Sequence, residues 1–268
     1  EEVSKLMRGA ETSVVVQSPY LISSRRTKGL VKDILKKNPD LDIHYSTNSL
    51  AAADHAVVAA VSLKQLRHQF TRLKVNIYQF KPDPQDLYSF APRYDEYAVE
   101  ANRGSQEKSK APRYSIHAKS MVIDGEIAVI GTSNFDPRSE SLNTECGVII
   151  RDKTLAKSLE MEIRRDMAPG NSWVVGKRKC IPVIGQINNL LASVSGMLPV
   201  MDVWPTHYTS CFELKKGKEP LPADHPDFNR RYKDVGSFPE CANSPLALKT
   251  RVLKATFGWA APVMRSKC

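Results

Sequence analysis

Ser115-Ile-His117-Ala-Lys119-Ser-Met-Val-Ile-Asp124-Gly-Glu-Ile-Ala-Val-Ile-Gly131-Thr-Ser-Asn134 is the stretch whose reading decides the fold. Two β-branched runs, 114–123 and 126–131, flank Asp124-Gly125, a dipeptide suited to the positive-φ positions of a two-residue hairpin turn. Side chains alternate along a strand, so His117 and Lys119, two apart, share one face. The second strand ends in Gly131-Thr-Ser-Asn134, which returns an amide and the hydroxyls of Thr132 and Ser133 to that face. An imidazole, an ammonium and an amide converging on one point suit a phosphodiester. Histidine attacks phosphorus or carries a proton, while Lys and Asn hold the phosphoryl oxygens as charge shifts. Glu145, entering the next strand, is expected to accept the His117 ring N–H and fix its tautomer. Asp124 reads as a turn residue and Gly131 as a structural one. A His and a Lys two apart more often mark only an exposed face. The full spacing H-x-K-x4-D-x6-G-T-x-N on one strand–turn–strand unit favours chemistry.

Outward from the hairpin, strand and helix signals alternate. Residues 12–22 are mostly β-branched and apolar, as in a strand buried on both faces. Leu30, Ile34 and Leu35 stand at helical spacing and are stopped by Asn38-Pro39. A strand over 41–47, a long helix over about 51–73 and a third strand over 75–80 follow. Residues 81–112 read as a long polar loop, a length usually reserved for function or disorder. Beyond the hairpin come a strand over 146–151 and a helix over 153–167. Strands alternating with crossover helices predict an α/β fold, a mixed sheet flanked by helices.

The chain has 268 residues, 41% of them apolar, enough for a sizeable core, which excludes a disordered chain, collagen or a small disulfide scaffold. Its net charge of +10 calls for an anionic partner, nucleic acid or a phospholipid surface. Residues 1–170 carry 25 basic and 22 acidic side chains; residues 171–268 carry 14 and 7. Four of the five cysteines also lie in the second segment. These shifts predict a boundary near Gly170 between a catalytic lobe, 1–170, and a basic, mainly irregular or helical extension, 171–268. Lys177-Arg-Lys179 precedes 21 uncharged residues, 181–201, whose apolar positions step by three and four. Such a stripe beside basic residues fits a helix lying in a membrane interface, or one packed on the domain. Trp173, Trp204 and Trp259 suit an interfacial belt or burial equally. Arg230-Arg-Tyr-Lys233 reads as a solvated face or a headgroup contact. The tail cysteines lack metal spacing, and either two disulfides or free thiols fit them.

The hairpin pattern resembles the HKD motif of the phospholipase D superfamily, and all its positions are filled. Gln17-Ser-Pro-Tyr20, Ser46-Thr-Asn-Ser-Leu-Ala-Ala-Ala-Asp54, Asn134-Phe-Asp-Pro-Arg-Ser139 and Leu142-Asn-Thr-Glu145 are similar to class-C bacterial cardiolipin synthases, over roughly residues 10–168. The resemblance implies catalytic roles for His117, Lys119 and Asn134, with Glu145 orienting the histidine. Ser133, Arg138 and Ser139 are then candidate substrate-binding residues. No metal and no cofactor are expected. Two-lobed members of the superfamily carry two such motifs, whose histidines face each other across one site. This chain has one, because His44, His55, His68, His207 and His225 have no Lys two positions later. The resemblance therefore implies a C-terminal half, partnered by an N-terminal HKD half or a second subunit. It also implies His117 as general acid and base, with the nucleophile role second. The implied activity is phosphatidyl transfer through a phosphohistidine. Its implied substrate is a phosphatidylglycerol- or phosphatidylethanolamine-like phospholipid, met at the periphery of a bacterial inner membrane. Phospholipase D hydrolysis is the alternative. A homodimeric nuclease ranks lower, and nucleic acid is disfavoured because most of the charge lies outside the catalytic region.

Overall fold

The middle of the sheet is parallel because its first two strands are buried on both faces and each is followed by a crossover helix. The computed structural model describes residues 1–54, 56–101, 113–178, 209–237 and 239–240. After a short helix α1 (Glu2–Arg8), β1 (Ser13–Gln17) leads through α2 (Arg25–Lys37) to β2 (Asp42–Asn48). Helix α3 (Ala56–Arg72) then leads to β3 (Asn76–Phe80), and the three strands pair in parallel. Ser24 caps α2 by accepting the Thr27 N–H at 3.0 Å, and the helix stops at Asn38, before Pro39. The expected long loop carries α4 (Leu87–Phe90) and α5 (Tyr94–Ala101) in its described part.

The hairpin forms as expected, with β4 (Ser120–Ile123) antiparallel to β1 and β5 (Ile127–Gly131) antiparallel to β4. Asp124 at φ 54° and Gly125 at φ 63° give the turn its two left-handed residues. Past α6 (Pro137–Ser141), the edge strand β6 (Gly147–Ile150) closes this side of the sheet, and α7 (Lys153–Asp166) follows. Val14, Val16, Ile43, Ile77 and Met121 face α1, α2 and α3, while Val15, Val122 and Ala128 face Ala156 and Ile163 of α7. Removing a buried valine from water stabilises the fold by roughly 1.5–3 kcal/mol. These double-sided strands are therefore the stable centre.

The sheet runs through the expected boundary at Gly170. β7 (Ser172–Lys177) pairs antiparallel with β3, β8 (Thr209–Leu214) with β7, and β9 (Tyr232–Gly236), entered from α8 (Phe228–Arg231), with β8. The order is β6-β5-β4-β1-β2-β3-β7-β8-β9. Three strands thus lie among the described residues of 171–268, a segment expected to be mainly irregular or helical, most of which lies outside the described residues. Pairing of β7 with β3 joins residues about ninety apart in sequence, which local periodicity does not register. Trp173 is buried at 2% exposure and is not an interfacial residue. Tyr232, within the basic–aromatic run, packs inward on Phe228 with ring centroids 4.2 Å apart. Cys211 is buried and its Sγ donates to Gln79 Oε1, while Cys146 is a free, exposed thiol. The stripe 181–201, Trp204, Trp259 and the other tail cysteines lie outside the described residues.

Candidate active site

His117 and Lys119 do not lie in the β4 ladder as expected; they sit in the extended residues just before it. What fixes that segment is Asn48, at the end of β2. Its Nδ2 donates to Ile116 O at 2.9 Å, and its Oδ1 accepts the Ile116 N–H at 2.8 Å. A buried amide thus clamps the residue next to His117 at both polar groups. The Gly131 N–H donates to Lys119 O at 3.1 Å and holds the other end of the segment.

The alternation expected from the strand persists in this segment, so imidazole and ammonium meet. Lys119 Nζ donates to His117 O at 2.8 Å and lies 3.0 Å from Nδ1 and 3.3 Å from Nε2. Nζ therefore stands within hydrogen-bond reach of either ring nitrogen, and the tautomer decides which of them accepts. Burial lowers the Lys119 pKa, against the opposing pull of Asp54, Glu145 and Asp136. Three carboxylates therefore favour its charged form.

His117, Lys119, Asn134 and Glu145 line one open cleft of about 780 Å³. Lys119, Asn134 and Glu145 also line a second cleft of about 440 Å³, together with Ser133 and Ser139. Asn134 Oδ1 and Ser139 Oγ are buried without hydrogen-bond partners. Ser139 is turned inward because Asp136 caps α6, accepting the Ser139 N–H at 2.8 Å.

Two expectations change. Glu145 shares the cleft with His117 but makes no hydrogen bond to it. Its carboxylate accepts from Thr132 Oγ1 at 2.5 Å and from Asn143 Nδ2 at 3.1 Å. These donors, with the Ser139 hydroxyl nearby but outside normal hydrogen-bond geometry, hold the Glu145 carboxyl below the usual range. Arg138 is exposed on α6 and lines neither cleft, because the turn that buries Ser139 points its neighbour outward.

Asp124 and Gly131 act on the framework. The Asp124 carboxylate accepts from the backbone N–H groups of Glu11, Thr12 and Ser13 at 2.7–3.1 Å, and from Thr12 Oγ1 at 2.9 Å. Burial pushes its pKa up, but these donors outweigh burial and leave it lowered. A Cβ on Gly131 would lie 2.6 Å from Cys146 O, so glycine is what lets β5 and β6 approach.

Sequence reasoning missed the roles of Asn48, Asp54, Thr132 and Asp136. Asn48 and Asp54 stand in the quoted stretch 46–54, yet no periodicity marks a buried amide as a clamp. Tyr20 donates its hydroxyl to the Asp54 carboxylate. Among the described residues, no three His, Cys, Asp or Glu side chains stand together to hold a metal. An imidazole carrying a proton, an ammonium and an amide in one cleft can bind a phosphate and move a proton.

Residues 3–167 match the family described as cardiolipin synthase, PLD-like domain. Cardiolipin synthase C of Escherichia coli K12 is 32% identical over 155 residues, covering 58% of this chain and 29% of that protein. An uncharacterised Helicobacter pylori protein is 28% identical over 161 residues, covering 60% and 28%. The chain thus spans less than a third of the length of these relatives. Among solved structures, NucT from Helicobacter pylori is similar at 12% identity and a TM-score of 0.45, covering 64% of this chain and 87% of that one. With more than half of its length matched by the family, the chain belongs to the cardiolipin synthase-like branch of the phospholipase D superfamily.

Proposed function

We propose that the chain supplies one HKD lobe of a phosphatidyltransferase of the cardiolipin synthase kind, acting at a membrane surface on a phosphatidylglycerol- or phosphatidylethanolamine-like lipid. The observation that carries this reading is the contact between Lys119 Nζ and His117 in a cleft shared with Asn134. In the first half-reaction a histidine of a companion lobe attacks phosphorus. A P–N bond forms as the P–O bond to the departing alcohol breaks, and a protonated His117 gives its proton to that leaving oxygen and becomes neutral. In the second, His117 takes the proton of the acceptor alcohol as its oxygen attacks phosphorus and the P–N bond breaks. Lys119 and the Asn134 amide hold the phosphoryl oxygens in both steps. Glu145, Asp54 and Asp136 favour the charged form of Lys119 rather than fixing the histidine tautomer.

His117 is exposed in this chain, which favours water as an acceptor wherever the cleft is left open. Hydrolysis in the manner of a phospholipase D is therefore the second reading. The test is a lipid assay of the native protein, wild type against His117→Ala, with labelled phosphatidylglycerol and thin-layer separation of products. Cardiolipin formation lost in the variant supports transfer, phosphatidic acid in its place supports hydrolysis, and cardiolipin formation unaffected by the variant overturns the mechanism.

A further inference from the structure

The 440 Å³ cleft behind Lys119 is lined very differently from the open one in front of His117. Moving down the hairpin away from the reactive end, the face that carries Lys119 carries Met121 next, about 7 Å further along the strand. Met121 pairs in register with Val129, and Val129 with Ile149 of β6. The opposite wall is helical: Val3 and Met7 come from α1 and Leu30 from α2. Polar groups gather where the cleft meets the reactive end, at Lys119, Asn134 and Ser139.

Arg26 and Lys119 are the cations in its lining, beside the carboxylates of Glu1, Asp136, Glu140 and Glu145. A ligand held through the Lys119 ammonium must be anionic at one end. It must be apolar along the rest, to lie against Val129, Ile149 and Leu30. At about 30 Å³ for each water-sized group, the volume holds roughly fifteen of them, the scale of one fatty-acyl chain rather than a whole diacyl lipid. A free headgroup, a nucleotide or a soluble phosphodiester would leave the apolar walls wet.

We infer that this cleft is an acyl-chain subsite, in which one chain of the phospholipid lies between α1–α2 and the β4–β5–β6 face while its phosphodiester reaches Lys119. The inference rests on the phosphatidyl-transfer reading for the reaction, and adds to it how the chain recognises that its substrate is a lipid. It makes the substrate's tail, not only its headgroup, part of what positions phosphorus.

The test uses the 268-residue chain with phosphatidylglycerol carrying a diazirine in one acyl chain, presented in phosphatidylglycerol–phosphatidylcholine vesicles. After irradiation, labelled peptides are mapped by mass spectrometry. Label is expected on peptides covering Val3–Leu30 and Met121–Ile149. It is expected to fall at least fivefold in Leu30→Trp, which fills the cleft. Ile149→Trp, at a more exposed edge-strand position, gives the same reading if Leu30→Trp does not fold, with circular dichroism reporting folding. Label confined to other segments, or undiminished in a folded variant, overturns the subsite. The two proposals fail separately. Native protein that neither transfers nor hydrolyses phospholipid, yet labels in the cleft, overturns the reaction and keeps the subsite. Lipid turnover lost in His117→Ala, with label elsewhere, overturns the subsite alone.

Discussion

Replacing Gly131 by alanine adds one methyl group where β5 meets β6, and the structure sets the size of the effect. The new Cβ would sit 2.6 Å from Cys146 O and 3.0 Å from Gly147 Cα, both backbone atoms. Ordinary contact needs about 3.5 Å or more, so the two strands must part by several tenths of an ångström. That separation stretches the bond from Thr132 N–H to Cys146 O, now 2.9 Å. A weakened backbone hydrogen bond is worth about 1 kcal/mol and overpacking about 1–3 kcal/mol. The expected loss is roughly 2–4 kcal/mol, or a fall of about 5–15 °C in Tm for a domain of this size. Gly29 is the internal control: it lies inside α2, nothing stands within 4 Å of its added Cβ, and alanine there should stabilise by about 0.5–1 kcal/mol. Thermal and urea unfolding of both variants reads the two signs. Gly131→Ala within 0.5 kcal/mol of wild type, on this scale, would refute the close-approach argument.

Four other outcomes follow from the same structure. Asp124→Ala removes the acceptor of three backbone N–H groups and should lower stability by about 2–4 kcal/mol in urea titration; a loss near zero would mean that water replaces the carboxylate. Asn48→Leu strands the Ile116 N–H and C=O, so a loss of about 2–4 kcal/mol should accompany altered His117 ring resonances in NMR, and unchanged resonances would free His117 from the clamp. Asp166 has its pKa raised to about 6, chiefly by burial, with Glu162 and Asp86 adding to it and the Gln17 amide and Arg165 opposing. Its folded state binds the proton more tightly, so its contribution is intact below the unfolded value of 3.8 and is lost as pH rises through about 6. About two units at ~1.4 kcal/mol each cap the loss near 3 kcal/mol; partial exposure reduces it to ~1–2 kcal/mol. Asp166→Asn should flatten the stability–pH curve across that window, and an unchanged slope would assign it to other groups. Phe228→Ala should cost about 3–5 kcal/mol and, if β7–β9 fold with the sheet, weaken hydrogen-exchange protection of β1 amides; full β1 protection would separate the two regions.

The elements that could be read from sequence were those whose signals are local. β1, β2, β3 and α2 declare themselves by β-branched runs, apolar residues at helical spacing and a stop at Asn38-Pro39. Asp124-Gly125 announces its turn because few other dipeptides tolerate two left-handed residues. The meeting of His117 with Lys119 follows from alternation alone. Glu145 shows where this fails: its position in the cleft was legible, but its partners, Thr132 and Asn143, depend on how β5 and β6 end relative to one another. Arg138 and Ser139 are adjacent in sequence, and only the cap at Asp136 decides which turns inward. β7 and β8 were missed because their reason to be strands is a partner far away, with Gly176 pressed against Phe228 and Phe212 leaving no room for a side chain.

The grip of Asn48 on Ile116 bears on how such a chain can change over generations. The connection from β3 to β4 spans residues 81–119, and lengthening a loop adds only about 0.6 kcal/mol of closure entropy per doubling. If the position of His117 were inherited from that connection, every insertion would move the reactive ring. Because a side chain two strands away sets the position instead, residues can be gained or lost upstream while the histidine keeps its place. Diversification and precision are thereby assigned to different parts of the polypeptide: the excursion is open to drift, and the Asn48 amide together with the Gly131 N–H carries the constraint.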